Sequence, residues 1–409
     1  MLRFAPSPTH DMNISDLRVA LFNYMVSLTN KEDLLIRIED INKEKVIENK
    51  DKEILELLSL FSISYKYAIH QSDNIKYHSQ FAMQLLMNRK AFNCFCGKEI
   101  LQKEKDEAKQ KNIPYMYSGF CENLSDAATF ECEAPFTVRI KKPQDNSNID
   151  SFVILNHDKT PTYDFACAID DMLSNIDTVI RDSKYQEDTA KQIFIRDALG
   201  YDKKINYIHL ASISNINKIP SVKELINEGY LPSAIVNYII LLEQTSPKEV
   251  FTLEESLEWF DINNISKESI YFDINKLKQI NKQHIQDMEE LRLSKILGYS
   301  DIDIGTLAKI YLEECDTTNQ IKIKINNIFK EKNIPKELKK EINLINDCID
   351  KAPFIKDFDE FIKYISTNTN LSKEQLSKPL NFALTNETSG VNLSKIYPLI
   401  RNYLGEIIK

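Results

Sequence analysis

The chain has 409 residues, 43% of them hydrophobic, and a net charge of −9. That allows roughly two to four domains with their own cores, and it excludes a global basic field for nucleic acid, though not a local basic face. No run reaches the ~18 apolar residues of a membrane span, and the N-terminus lacks a charged start followed by an apolar stretch, so the reading is a cytoplasmic protein with no membrane partner. Seven cysteines, an odd number, suit a reducing compartment and at most one metal site.

Residues 2–6 predict a short buried strand. It leads through the turn Ala5-Pro6-Ser7-Pro8-Thr9 into an apolar helix that carries Leu17, Ala20, Leu21 and Phe22. Strand, turn and helix start is how α/β folds set a phosphate at a helix N-terminus. Such turns use Gly so that backbone can approach the ligand. This one has none, and the acid Asp16 stands close to where phosphate would bind. Residues 33–38 predict a second buried strand, and Lys50 to Phe61 a helix with apolar positions at 54, 57, 58 and 61. Residues 71–92 read as another helix, with Phe81, Leu85 and Leu86 inward. Residues 93–150 mix short strands with a charged helix over Lys98 to Lys111. Val153 to Leu155 and Val179-Ile180 read as strands, and Asp188 to Leu199 as a helix closed by Gly200. Ala234 to Leu242 is apolar but short, so it reads as a buried helix; from Ser221 onward the pattern is nearly all helical.

Arg3-Phe4-Ala5-Pro6-Ser7-Pro8-Thr9, then a helix, then Leu34-Leu35-Ile36-Arg37-Ile38-Glu39-Asp40, resembles the start of a bacterial glutamyl-tRNA synthetase, a class I enzyme. Ordered similarity continues through Thr160-Pro161-Thr162-Tyr163-Asp164-Phe165-Ala166, Val179-Ile180-Arg181, Thr189-Ala190-Lys191-Gln192-Ile193 and Glu228-Gly229-Tyr230-Leu231-Pro232. Phe272-Asp273, Lys276-Leu277 and Asn281 follow in order. The resemblance implies an α/β Rossmann-type catalytic domain with an inserted acceptor-binding subdomain, followed by an all-α C-terminal region. Its first Rossmann half covers 1–70, an acceptor-stem-binding insertion 71–150 and the second half 151–228. A stem-contact helical region covers 229–290 and a helical anticodon-binding-like domain 291–409, the latter resting on position and helical pattern alone. The resemblance also implies ATP with magnesium, glutamate and tRNA as partners, and a monomer.

Glutamate needs cations for two carboxylates and an acceptor for its ammonium, and a guanidinium fork matches a carboxylate bidentately. The resemblance assigns Arg3 and Arg181 to the carboxylates and Glu39 to the ammonium, with Ser7 and Tyr163 completing the pocket. The alternative makes Arg3 and Arg181 ordinary ion-pair partners of Glu39, Asp170 or Asp171. Cys167 departs from the larger or polar residue usual in the family, which bears on side-chain selectivity.

The family's H-I-G-H motif reads Asn13-Ile14-Ser15-Asp16 here. In the family its imidazoles contact triphosphate oxygens and its Gly lets adenine lie close to backbone. Asn13 cannot carry charge, Ser15 adds a side chain, and the Gly that normally follows P-S-P-T is His10. The lysine-rich loop that clamps pyrophosphate falls between His209 and Ser221, is shortened, and keeps one lysine, Lys218. The acidic turn after Arg181 reads Asp182-Ser183-Lys184-Tyr185. No residue is therefore given a catalytic role with ATP; Asn13, Ser15, Asp16 and Lys218 mark the degenerate positions.

Cys94-Phe95-Cys96 with Cys121 has the spacing of a Cys-x-Cys knuckle closed by a distant Cys, and zinc wants four N, S or O ligands. Tyr117, four residues before Cys121, is the fourth ligand in some relatives; the alternative is a buried cluster without metal. Three functions stay open on the sequence. One is a tRNA- and glutamate-binding homologue with impaired or absent activation. The second is a divergent but active ligase, and the third a scaffold for a protein partner.

Overall fold

The computed structural model describes residues 1–143, 149–214 and 219–409. They form two compact units, Met1–Ser221 with Phe260–Phe272, and Val222–Trp259 with Asp273–Lys409.

The first unit begins β1 (Leu2–Phe4), α1 (Ile14–Asn30), β2 (Leu34–Ile38), α2 (Lys50–Leu60), β3 (Tyr67–His70) and α3 (Ile75–Met87). It continues β4 (Ala91–Cys94), α4 (Lys98–Gln110), α5 (Asp126–Glu131), β5 (Thr137–Ile140) and β6 (Val153–Leu155). Then come α6 (Tyr163–Leu173), β7 (Thr178–Asp182), α7 (Gln186–Leu199), β8 (Asn206–Leu210) and β9 (Ile213–Ser214), the last paired with β10 (Ile270–Tyr271).

Five parallel strands make the main sheet in the order β3-β2-β1-β7-β8. The order reverses between β1 and β7. Open α/β sheets bind ligands at such a reversal, outside the carboxyl ends of the strands. Strands covered on both faces read as near-continuous apolar runs, and every residue of β1 and β2 is buried. Arg3 and Arg37 break that apolar run and are buried with it.

β4, β5 and β6 form a separate antiparallel sheet. Leu85, Ile140, Ile154, Phe165 and Ile195 join it to α3, α6 and α7 in one core. The helix expected over 71–92 stops at Met87. Arg89 takes a left-handed conformation (φ 57°) there, and the chain leaves as strand β4. Helix α7 ends as its glycine predicts: Gly200 sits at φ 76° and its N–H turns back to Asp197.

The second unit is built of helices among its described residues. It opens with α8 (Val222–Glu228), α9 (Pro232–Leu241), α10 (Leu253–Ser256), α11 (Ile274–Asp287), α12 (Glu290–Leu297), α13 (Ile302–Ile310) and α14 (Thr318–Phe329), and helices continue to Ile407. Pro at the first helical position starts α9. Residues Ala234 to Ile240 are buried on all sides, as a core helix requires. Buried Asn281 of α11 accepts from the Leu231 N–H (2.9 Å) and donates to the Asp316 carbonyl (2.7 Å), which satisfies the entry to α9. Among the described residues no helix is long and apolar enough to cross a membrane.

Candidate functional site

At the sheet's reversal point, the carboxyl ends of β1, β2 and β7 open into a cavity of ≈ 300 Å³. Each strand delivers residues as it ends: Ser7 past β1, Glu39 just past β2, Arg181 and Asp182 at the end of β7. Tyr163 comes from the first turn of α6. The cavity thus brings together Arg3, Ser7, Glu39, Tyr163 and Arg181, which lie up to 178 positions apart in the 409-residue sequence.

The two arginines differ. Arg3 is 4% exposed and pairs with Asp171 (Nε to Oδ1, 3.3 Å), as the ion-pair alternative expected. Asp171 also takes Arg37 (2.5 Å), which reaches Glu39 (3.3 Å). Burial would raise the Asp171 carboxyl, but Arg3 and Arg37 outweigh it and hold it below its ordinary range. Burial pushes the Glu39 carboxyl up, and Arg37 and Arg3 offset only part of that. The Ser7 hydroxyl donates to the Glu39 carbonyl (3.2 Å). Buried Cys167 donates its thiol to Glu39 Oε1 (3.3 Å) from behind.

Arg181 is equally buried, but its hydrogen-bond partners are neutral: Gln192 Oε1 (3.0 Å) and Thr189 Oγ1 (2.7 Å). Its Nε has no partner, and the Tyr207 and Tyr185 rings lie 5.2 and 5.9 Å from the guanidinium. Among the described residues it makes no ion pair. A buried charge without a counter-charge is costly until one arrives. Arg3 and Arg37 thus share the carboxylates of Asp171 and Glu39, whereas Arg181 has no carboxylate partner among the described residues.

On the adjoining wall, the start of α1 is closed by its own side chains. Asn13 Oδ1 accepts from the Ser15 N–H (2.8 Å) and the Asp16 N–H (3.1 Å). Asp16 Oδ2 accepts from the Asn13 N–H (3.1 Å) and lies 3.3 Å from His10 Nε2. This is a reciprocal capping box. Two of the donors that a helix N-terminus offers to phosphate, the Ser15 and Asp16 N–H groups, are already used, and a carboxylate sits beside them. The bond to Asp16 raises the His10 pKa against the pull of burial. Beyond β7, Asp182 accepts from the Lys184 N–H (2.9 Å) and the Ser212 hydroxyl (3.3 Å). Lys218 lies outside the described residues.

Sequence reasoning gave no role to Arg37, Thr189, Gln192 or His209. Arg37 had a signal, a charge inside an apolar strand. The other three had only their place in ordered similar segments.

A second cluster lies apart from the cavity. The Sγ atoms of Cys94, Cys96 and Cys121 all fall within 4.8 Å of one another, with Cys96 to Cys121 at 3.5 Å. Tyr117 Oη is 3.5 Å from Cys94 Sγ and 3.4 Å from Cys96 Sγ. The Phe95 N–H donates to Cys121 Sγ (3.4 Å). Tetrahedral zinc with bonds of ~2.3 Å spaces its sulfurs by about 3.8 Å, so these residues fit a zinc ion.

The family described as class I tRNA synthetases (E and Q), catalytic domain, matches residues 1–279. A glutamate–tRNA ligase 2 of Sulfurimonas denitrificans is 47% identical over 432 aligned positions, with 100% of both chains covered. A glutamate–tRNA ligase 1 of Nitratiruptor is 44% identical, also at 100% coverage of both. The crystal structure of a glutamate–tRNA ligase from Elizabethkingia meningosepticum in complex with its amino acid superposes with a TM-score of 0.81. It covers 100% of this chain and 98% of that one at 20% identity, a likeness of fold.

Proposed function

We propose a function for a chain that belongs to the class I tRNA synthetases for glutamate and glutamine, and that matches glutamate–tRNA ligases along its whole length. It binds glutamate and tRNA, but it joins glutamate to ATP far more slowly than the family's reaction demands. In that reaction ATP, with magnesium, activates glutamate, which then passes to tRNA.

The self-capped start of α1 carries this reading. Arg181 takes one carboxylate of glutamate, Arg3 the other, and Glu39 the ammonium, while Ser7 and Tyr163 shape the wall. Among the described residues, the start of α1 carries none of the family's phosphate-binding imidazoles, only Asn13, Ser15 and Asp16. Each preorganised donor on developing charge is worth about 3 kcal/mol. Losing an imidazole and two lysines removes roughly 6–9 kcal/mol, or 10⁴–10⁶ in rate, and non-additivity halves that energy to about 3–4.5 kcal/mol. The Asp16 carboxylate adds repulsion of about 3 kcal/mol against a phosphate charge ~5 Å away at an effective dielectric of ~20. The 432-position alignment against 409 residues also means that this chain lacks residues its Sulfurimonas relative has.

In the same reading, 71–150 meets the acceptor stem and 291–409 the anticodon side. Cys94, Cys96, Tyr117 and Cys121 hold a structural zinc that braces the first of these. An active ligase is the second reading, favoured by 47% identity to a ligase at full coverage. Calorimetry separates the two. We expect glutamate to bind at micromolar to millimolar Kd without nucleotide, about −8 to −4 kcal/mol, and ATP to give no heat at the same concentrations. Tight ATP binding would favour the active ligase, and absence of glutamate binding would remove the pocket.

A further inference from the structure

Arg181 and Arg3 are buried alike, yet only Arg3 has a carboxylate partner among the described residues, Asp171, which it shares with Arg37. The groups around Arg181 explain how it stays in place without a counter-ion. Thr189 and Gln192 sit three residues apart on α7, so their side chains share a face. The Gln192 amide is oriented from both ends. Its Nε2 donates to Asp164 Oδ1 (3.3 Å), which leaves Oε1 to accept from Arg181. Thr189 Oγ1 accepts from Arg181 and lies 3.0 Å from His209 Nε2. A hydroxyl that accepts from a guanidinium still has its proton to give, and His209 Nε2 is the acceptor in reach. In the tautomer with a lone pair on Nε2, His209 takes that proton and carries no charge. Burial and the charge of Arg181 both lower its pKa, which agrees. Tyr207 stacks on His209 and flanks the guanidinium, adding contact without charge. Every neighbour that binds Arg181 accepts a hydrogen bond, and none brings a negative charge.

We propose that Thr189, Gln192 and His209 are positioning residues that aim Arg181 at the cavity with its charge uncancelled, so that the pocket selects a side-chain carboxylate over a carboxamide. This rests on the reading of the cavity as a glutamate pocket. An acid in place of either α7 residue would pair with Arg181 from within, as Asp171 pairs with Arg3, and the discrimination would go.

The test is calorimetric titration of glutamate and of glutamine into the full chain, its Gln192→Glu variant, and the pair Thr189→Val and Thr189→Ser. Wild type is expected to prefer glutamate by at least about tenfold, the range over which an uncompensated buried charge discriminates. Gln192→Glu is expected to cut glutamate affinity by about ten- to a hundredfold while glutamine affinity moves by less than about threefold. Thr189→Val should lower the glutamate-to-glutamine ratio and Thr189→Ser restore it. A general loss of structure would instead weaken both ligands together. A wild-type ratio in Gln192→Glu, or in Thr189→Val should the first variant not fold, overturns the inference while the pocket stands. Wild type that binds glutamine as tightly as glutamate also overturns it. Wild type that binds neither ligand refutes the pocket, and the positioning claim with it.

Discussion

Asp16 spends its charge within six residues of chain, on the Asn13 N–H and the His10 ring. The acid that would repel a nucleotide is also the acid that finishes helix α1, so the two effects come from one side chain. His10 reports on this arrangement. Its pKa is raised by the bond to Asp16, so the pair's contribution is fully present below the unfolded value of ~6.5 and is lost as pH rises through the higher folded value. The ring is about half exposed, and pairs of that kind are worth little stability. The readout is therefore a proton NMR titration. We expect His10 to titrate above ~6.5, and Asp16→Asn to bring it back toward that value; an unchanged His10 in the variant would show that the contact is not made in solution. That Arg3, Ser7, Glu39, Tyr163 and Arg181 would meet at one cavity was legible through ordered similarity to the synthetase family; that the cavity takes glutamate is the proposal. The contrast between Arg3 and Arg181 was not legible, because Glu39, Asp170 and Asp171 were equal candidates for either arginine and Asp171 lies 168 residues from Arg3.

Elements were legible where apolar spacing was uninterrupted. β2 and α2 came out within a residue or two of expectation, and the segment over 71–92 did not. Glycine normally marks such breaks, and this chain has only eight. Lys31, Ser62 and Arg89 take left-handed conformations without it, as do Asn49 and Asn175, so the punctuation on which a sequence reading relies is thinned. Where glycine remains it is needed. Gly229 sits at φ 90°, and a Cβ there would lie 2.5 Å from the Asn319 backbone nitrogen. Gly229→Ala is expected to destabilise the helical unit by about 2–4 kcal/mol, from left-handed strain plus overpacking. Denaturant unfolding checks it, and a change under about 0.5 kcal/mol would mean that the contact relaxes. The knuckle at β4 makes a separate prediction. Purified protein should carry one zinc per chain by elemental analysis and lose it in Cys121→Ser. Metal-free wild type that unfolds at the same temperature with and without added zinc would contradict a bracing role.

At the scale of the whole molecule, two units of different architecture have both been kept. Similarity to ligases runs through both, since the catalytic-domain family match extends past Ser221 to residue 279 and curated relatives cover the full chain. Retention on that scale argues for a retained ligand set. The closed start of α1, in a cavity that keeps its arginines, is the ground for the proposal that ATP is poorly used there. ATP–pyrophosphate exchange tests the proposed loss most directly. It should be run with glutamate and total tRNA from the source, beside the Sulfurimonas denitrificans relative under identical conditions. Exchange more than about a hundredfold slower than the relative, with glutamate still bound, is the predicted result. Exchange within that hundredfold would contradict it, and would mean that residues other than Asn13, Ser15, Asp16 and Lys218 hold the triphosphate.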